Sequence, residues 1–350
     1  MAFTRLELSH FRNFTQMATT LSPCLTLVVG NNGEGKTNLL EAVYLLLQGR
    51  DFRTTVEREA IQQNAMLARL SGEGELADHK QMWHHTIPLE GRRSHRGVVV
   101  PVVLFSPDDV YLAKGSPERR RRFLDLLLAA HDTRYARSLR SYHRILLQRN
   151  RAFKDNPFHP LVEDFTPLLV REGLYLWRRR QEVIDALDPE TRLIHDRLAP
   201  GHNLSIRLQC GGVKKSIQTD GDYYNAIRER HSDEMARQTT LVGPHRDDLL
   251  ITLNNLDVRI FASQGQLRTA ALSIKLGTFS WLWKETGIRP LILLDDVLSE
   301  LDSKRRQSVL QYVSEPGQQT IVTDTEPRSY AALNPLILHV HDGEVNPWKS

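Results

Sequence analysis

Eight residues, Gly30 to Thr37 (GNNGEGKT), fit the pattern G-x-x-x-x-G-K-[ST] without a mismatch. Every position in that pattern has a task at a triphosphate. Gly30, Gly33 and Gly35 let the backbone N–H groups of the loop, including those of Asn31, Asn32 and Glu34, curl round the phosphates. The Lys36 ammonium reaches the β and γ oxygens, and the Thr37 hydroxyl holds Mg²⁺. The order of elements suits this chemistry. Leu25 to Val29 (LTLVV) reads as a buried strand, and NLLEAVYLLL after the loop reads as a helix with apolar residues at helical spacing. The helix adds the positive end of its dipole. A nucleoside-triphosphate site is the expectation.

Leu291 to Asp296 (LILLDD) is an apolar strand ending in carboxylates, and an Asp there completes the magnesium shell opposite Thr37. Asp295 is the expected second metal ligand. More than 250 residues separate it from Lys36, so a large segment is inserted in the nucleotide-binding sheet. Within that segment, Ser263-Gln264-Gly265-Gln266 stands at the start of a predicted helix. A hydroxyl, two backbone donors and a positive helix end suit a γ-phosphate. The same Ser also reads as a plain helix cap. Because the first loop is already matched to phosphate, Ser263 to Gln266 make best sense facing the nucleotide of a second subunit. Four residues past Asp296 comes Glu300-Leu301-Asp302.

The elements that must position these groups follow from composition and pattern. At 350 residues, 40% of them apolar, the chain predicts two or three soluble domains with an ample core. No apolar run reaches the length of a membrane span, and the N-terminus lacks the layout of an export signal, so a cytoplasmic location is expected. The two cysteines, Cys24 and Cys210, predict no disulfide framework. Strands and one helix surround the first loop through about Phe105, and SPDDVYLAKGSP is a turn-rich boundary. Glu118 to Asn156 contains neither Gly nor Pro, and Leu124, Leu128, His131, Tyr135, Leu139, Tyr142 and Leu146 mark one helical face. Read as one helix it would extend roughly 50 Å. PFHP then forces a turn and Leu161 to Asp188 continues a second stripe, which predicts an antiparallel helical arm. The expected boundaries are residues 1–110 and 238–350 for the head, and 111–237 for the arm. In the head's second part, LLITLNN and LDVRIF bracket a hairpin with Asn254-Asn255 at the bend.

Charge divides the arm. Glu118 to Lys154 holds eleven basic against three acidic residues, a balance of +8, and the second leg has no such excess. Arg119, Arg120, Arg121 and Arg122, with Arg137, Arg140 and Arg144 further along, read either as a solvated helix face or as a surface for nucleic acid.

Together the Gly30–Thr37, Ser263–Gln266, Leu291–Asp295 and Ser299–Asp302 segments resemble the Walker A, signature, Walker B and D-loop motifs of an ABC-type ATPase head. The implied fold is α/β, a P-loop head of mixed sheet and flanking helices with an inserted helical arm. More narrowly, the chain resembles the bacterial RecF family of recombination mediators, relatives of the SMC ATPases. That resemblance runs end to end, through LELSHFRNF, VVGNNGEGKTNLLEA, SPDDVYLAKGSPERRRRFLD, LVGPHRDDL, FASQGQLRTAALSIKL and ILLDDVLSELD. It implies ATP and Mg²⁺ as ligands and a homodimer that closes over ATP. It places Ser263, Gly265 and Gln266 on the partner's γ-phosphate, Ser299 and Asp302 in the D-loop, and Arg12 and Asn13 beside the nucleotide. It implies binding to gapped DNA at single-/double-strand junctions, with RecR and RecO, to help load RecA. Two positions depart from the ABC pattern. Asp296 replaces the usual catalytic Glu, consistent with a slow, switch-like ATPase in which Lys36 and Asp296 carry catalysis. Asp324-Thr325 stands where the switch histidine would follow TIVT. A transporter ATPase is disfavoured by the basic arm, the distance between Walker motifs and the missing Leu-Ser-Gly-Gly. An ATPase-coupled nuclease is disfavoured because only 48 residues follow Asp302, and a full-length SMC protein by the length of the chain.

Overall fold

Apolar residues alternating with polar ones form strands with one buried face. The computed structural model describes residues 1–53, 56–156, 160–213, 217–298 and 301–348. These fall into two units, one of residues 1–109, 197–199 and 278–350, the other of 110–196 and 200–277.

The first unit opens with β1 (Ala2–Phe11), β2 (Phe14–Thr20), β3 (Leu25–Val29) and α1 (Lys36–Gln48). β4 (Leu67–Leu76), β5 (His79–Pro88), β6 (Ser94–Arg96) and β7 (Val102–Phe105) complete its first passage. β2-β1-β4-β5-β6 form an antiparallel sheet. Phe3 and Leu6, three residues apart, both reach its core because the β1–β4 register shifts between Phe3 and Arg5. Phe3 meets Trp83 edge to face at 5.7 Å.

The chain then enters the second unit through α2 (Val110–Lys114), α3 (Pro117–His131), α4 (Thr133–Asp155) and α5 (Pro160–Leu198). There follow β8 (Leu204–Gln209), α6 (Asp220–Glu229), α7 (His231–Arg237), β9 (Asp248–Leu253), β10 (Leu256–Asp257), α8 (Val258–Phe261) and α9 (Gln264–Thr286). The expected single leg is therefore two helices. Asp132 breaks it: one carboxylate oxygen accepts the Tyr135 N–H (2.9 Å) as a cap of α4, and the other accepts Tyr175 O–H and Arg179 Nε of α5 (each 3.0 Å). α5 is longer than the second stripe suggested and passes through Pro167 and Pro189. Asn254 and Asn255, with φ of 51° and 67°, make the expected tight hairpin. Its second strand ends early, because Asp257 accepts the Arg259 N–H (2.9 Å) and starts α8. This second unit keeps residues 238–277, which the sequence reading assigned to the head. The reason is pairing: Ile251 of β9 lies opposite Ile206 of β8, and Asp247 is fastened to Trp177 and Arg180 of α5.

Back in the first unit, β11 (Leu291–Leu294), α10 (Ser303–Val313), β12 (Thr320–Asp324), β13 (Leu336–His341) and β14 (Glu344–Pro347) finish the chain's described course. They build a six-stranded sheet, β14-β13-β3-β12-β11-β7, parallel except for β14. All five residues of β3 and all of β11 and β12 are buried, as strands covered on both faces should be. Gln319, 3% exposed, hydrogen-bonds the N–H and the C=O of Phe3 (each 2.7 Å), tying β1 to this sheet. Among the described residues no helix is long and apolar enough to cross a membrane, and Cys24 and Cys210 are free thiols.

Candidate nucleotide site

Parallel strands present their C-terminal ends together, where ligands of open α/β sheets bind. Here Val29 pairs with Asp324, and Leu294 with Val322 and Phe105, so the loop after β3 and the carboxylates after β11 emerge side by side. The Gly30–Thr37 loop needs its glycines. Gly35 caps α1 with φ of +111°, and a Cβ there would lie 2.4 Å from the Asn13 amide; at Gly30 it would lie 2.4 Å from the Val340 carbonyl. Lys36, 7% exposed, folds over the loop and donates to the Gly30 (2.7 Å) and Asn31 (2.9 Å) carbonyls. The ammonium is thus held inside the cradle that a triphosphate would fill.

The Thr37 hydroxyl lies 2.9 Å from both carboxylate oxygens of Asp295, joining two motifs that are far apart in sequence. Asp295 is 4% exposed, and burial pushes its carboxyl above the usual carboxylate range, against the pull of the Thr37 and Thr323 hydroxyls. Thr323 was not singled out from sequence. Its hydroxyl donates to Asp295 (2.9 Å) and accepts the Asp296 N–H (2.9 Å), which helps hold Asp296 at a φ of +48°. A hydroxyl and a carboxylate make an all-oxygen set that fits a hard divalent cation such as Mg²⁺. Asp324, at the switch-histidine position, is occupied elsewhere: it accepts the buried Tyr330 O–H (2.8 Å) and the Thr325 N–H (2.6 Å).

Arg12 and Asn13 part company. Asn13 donates to the Glu34 carbonyl (2.8 Å) and accepts from Asn38 (2.8 Å), so it braces the loop. Arg12 instead grips Glu41 of α1 through Nε (3.0 Å) and Nη2, and donates to the Glu59 carbonyl (2.8 Å). Arg53, which no motif marks, bridges Glu41 (2.9 Å) and Asn38 (2.9 Å) and lowers the Asp295 carboxyl through its charge. Beneath them Asp51 is pushed up to about 6, by burial first and by the neighbouring Glu41 carboxylate. Glu34 reaches the other way and accepts the Asp342 N–H (2.8 Å), which lowers its carboxyl.

In the second unit Ser263 and Gln266 form a reciprocal cap on α9: Ser263 Oγ accepts the Gln266 N–H (3.3 Å) and Gln266 Oε1 accepts the Ser263 N–H (2.8 Å). Ser263 and Gln264 are exposed, and Gly265 and Gln266 partly so. Asp302 caps α10 through the Arg305 N–H (3.0 Å). Ser299 lies outside the described residues. The basic run divides. Arg120 is 1% exposed and pairs with both oxygens of Asp248 (2.5 and 3.1 Å), so it is no surface contact; helical position 120 faces the unit's interior while 119 and 122 face out. Arg121 is half-buried and donates to the Asp247 carbonyl (2.7 Å), and Arg119 lies over the Tyr111 ring. Arg122, Arg137, Arg140 and Arg144 are exposed.

The model of the RecF/RecN/SMC N terminal domain family matches residues 2–341. The chain is 35% identical to the DNA replication and repair protein RecF of Halalkalibacterium halodurans, over 93% of each chain. It is 37% identical to that of Symbiobacterium thermophilum, over 93% of this chain and 92% of the relative. The chain belongs to the RecF family. A structure described as the recombination mediator protein RecF-ATP in the RecFOR pathway is similar with a TM-score of 0.87 at 27% identity, over 99% of this chain and 98% of that one. An Smc head domain from Pyrococcus furiosus shares the fold, with a TM-score of 0.57 at 16% identity. The α/β head expected from the sequence is therefore that of RecF and SMC proteins.

Proposed function

We propose that this RecF-family chain is an ATP-operated switch of recombinational DNA repair. One observation carries the reading: the Thr37 hydroxyl and the Asp295 carboxylate meet at 2.9 Å beside a glycine loop that already encloses Lys36. Gly30 to Thr37 bind ATP, with Asn13 bracing the loop. Thr37 and Asp295 hold Mg²⁺, which when bound neutralises charge between the β and γ phosphates. Lys36 leaves the loop carbonyls for the phosphate oxygens, and Asp296 orients the attacking water. Arg12 acts through Glu41 and α1 rather than by touching the nucleotide. Ser263 to Gln266 complete the site of a second copy, with Asp302 and Ser299 in the D-loop, so ATP joins two chains. Hydrolysis is slow and resets the dimer. The dimer binds gapped DNA at single-/double-strand junctions in the cytoplasm and works with RecO and RecR to load RecA; duplex lies along the exposed Arg137, Arg140 and Arg144 of α4. The RecF-ATP structure in the RecFOR pathway supports the nucleotide and the partners.

The test is light scattering on the purified chain with Mg-ATP. The wild type should double its mass and bind DNA more tightly at once. Ser263→Arg should bind ATP with near-normal affinity yet stay monomeric. A variant that still dimerises removes the shared-site model.

A further inference from the structure

We propose that a cleft in the second unit, walled by α3, α4 and α5, binds one unpaired nucleotide of a DNA strand, its phosphate on Arg121 and Arg122 and its base on Leu126 and Leu139. The inference rests on the DNA-binding reading above and adds a site to it. The cleft measures about 420 Å³, within the range of small-ligand sites and near the size of a mononucleotide.

Its floor is prebuilt. Pro244 and His245 of the LVGPHRDDL segment, which the nucleotide site does not use, form part of it. Arg180, 2% exposed, is locked by Asp125 (2.7 Å), Asp247 (2.7 Å), the Pro244 carbonyl (2.7 Å) and Tyr135 (3.0 Å). Asp125 also accepts the Tyr135 O–H (2.6 Å) on the oxygen that meets Arg180.

Those arginines retain donors. Arg121 uses one on the Asp247 carbonyl; burial and then the neighbouring Arg180 charge lower its hold on its proton, against the pull of Asp247, Asp248 and Glu118. Arg122 is exposed and makes no hydrogen bond or ion pair among the described residues. The carboxylates lining the cleft are Glu118, exposed on the first turn of α3, and Asp125, already paired with Arg180. Guanidinium groups are suited to phosphate by their paired donors. Across from them, Leu126 (41% exposed) and Leu139 offer apolar surface that a phosphate ion alone would leave bare. His143 lines the rim, with Arg140 and Arg144 of the same helix on either side of it in sequence, so a strand following the basic face of α4 passes the opening.

The experiment uses the full chain with Mg-ATP and fluorescence anisotropy. Three DNAs of equal length are compared: blunt duplex, duplex with a short thymidine gap, and the same gap made of abasic linker. The double variant R122Q/L126Q changes two exposed positions. It should bind the thymidine gap about tenfold more weakly than the wild type, in the range of one lost base stack, and blunt duplex within about twofold. The abasic gap should produce the same loss with the wild-type protein. Equal binding of the thymidine gap by both proteins, or equal loss on gap and blunt duplex, overturns the cleft. A separate arm keeps this apart from the DNA reading: labelled dTMP is dialysed against protein saturated with ATPγS. Stoichiometric dTMP binding lost in R122Q/L126Q assigns the cleft to a free mononucleotide unit even if no DNA is held. Gap loss without dTMP binding assigns it to a strand-borne nucleotide. Neither effect, or dTMP displaced only by an acidic peptide, sinks the proposal.

Discussion

Thr323 sits between the two carboxylates that matter most, donating to Asp295 and accepting from the backbone of Asp296. Thr323→Val keeps its shape and removes the hydroxyl. The buried Asp295 then loses one of its two hydroxyl donors, its carboxyl rises further, and its hold on a cation weakens. Magnesium titration of ATP turnover should show apparent affinity falling on the order of tenfold, as for other groups that orient a metal ligand. An unchanged titration would mean Thr37 alone orients Asp295. Lys36, Thr37 and Asp295 were legible because their spacing dictates a local backbone conformation. Thr323 and Arg53 were not, since their roles arise from register between strands and from a loop after α1, and neither leaves a periodic trace. Arg12 was legible as a position but not as a partner: Glu41 claims it only once α1 packs against β1.

At the level of the helix, composition misled where burial decided. The arginine count of the arm could not separate Arg120 and Arg149, each 1% exposed and bound to Asp248 and Glu234, from residues facing water. Nor did the Gly- and Pro-free stretch betray its break, because an aspartate that caps one helix while bonding another looks like any polar helix residue. Both points give one experiment. Reversing Arg137, Arg140 and Arg144 to Glu changes three exposed charges on α4 and barely alters helix propensity. The slope of log DNA affinity against log salt should lessen by about two to three, at about 0.9 per phosphate contact. Arg120→Gln should leave that slope alone and instead destabilise the second unit by about 3 kcal/mol, since it strands Asp248 without its main partner. Urea unfolding and a salt series on both variants decide it; a flat response from the triple variant would move duplex off this helix.

Across the molecule, each unit encloses a neutral histidine. His85 in the first and His245 in the second are pushed down to about 4 by burial, and His245 accepts the Tyr142 O–H (2.7 Å) on one nitrogen while the other lies 3.1 Å from the Thr240 carbonyl. The unfolded chain binds a proton at each near pH 6.5 while the folded chain does not, so between about 4 and 6.5 unfolding takes up protons. The stability these groups contribute is complete above that window and is lost as the pH falls through it. Urea midpoints should therefore drop between pH 7 and pH 5, and by less in His245→Gln, whose second unit no longer carries the buried imidazole. An equal drop in both proteins would assign the acid sensitivity to other groups. A different consequence follows from the position of β3. This wholly buried strand carries the phosphate loop, yet both of its neighbours, β12 and β13, come from beyond residue 319. A ribosome finishes the loop early and supplies the strands that shield it last. Throughout that interval Leu25 to Val29 lacks both strands it pairs with, so the nascent chain carries an uncovered, mostly apolar segment and a phosphate loop whose supporting sheet is not yet made.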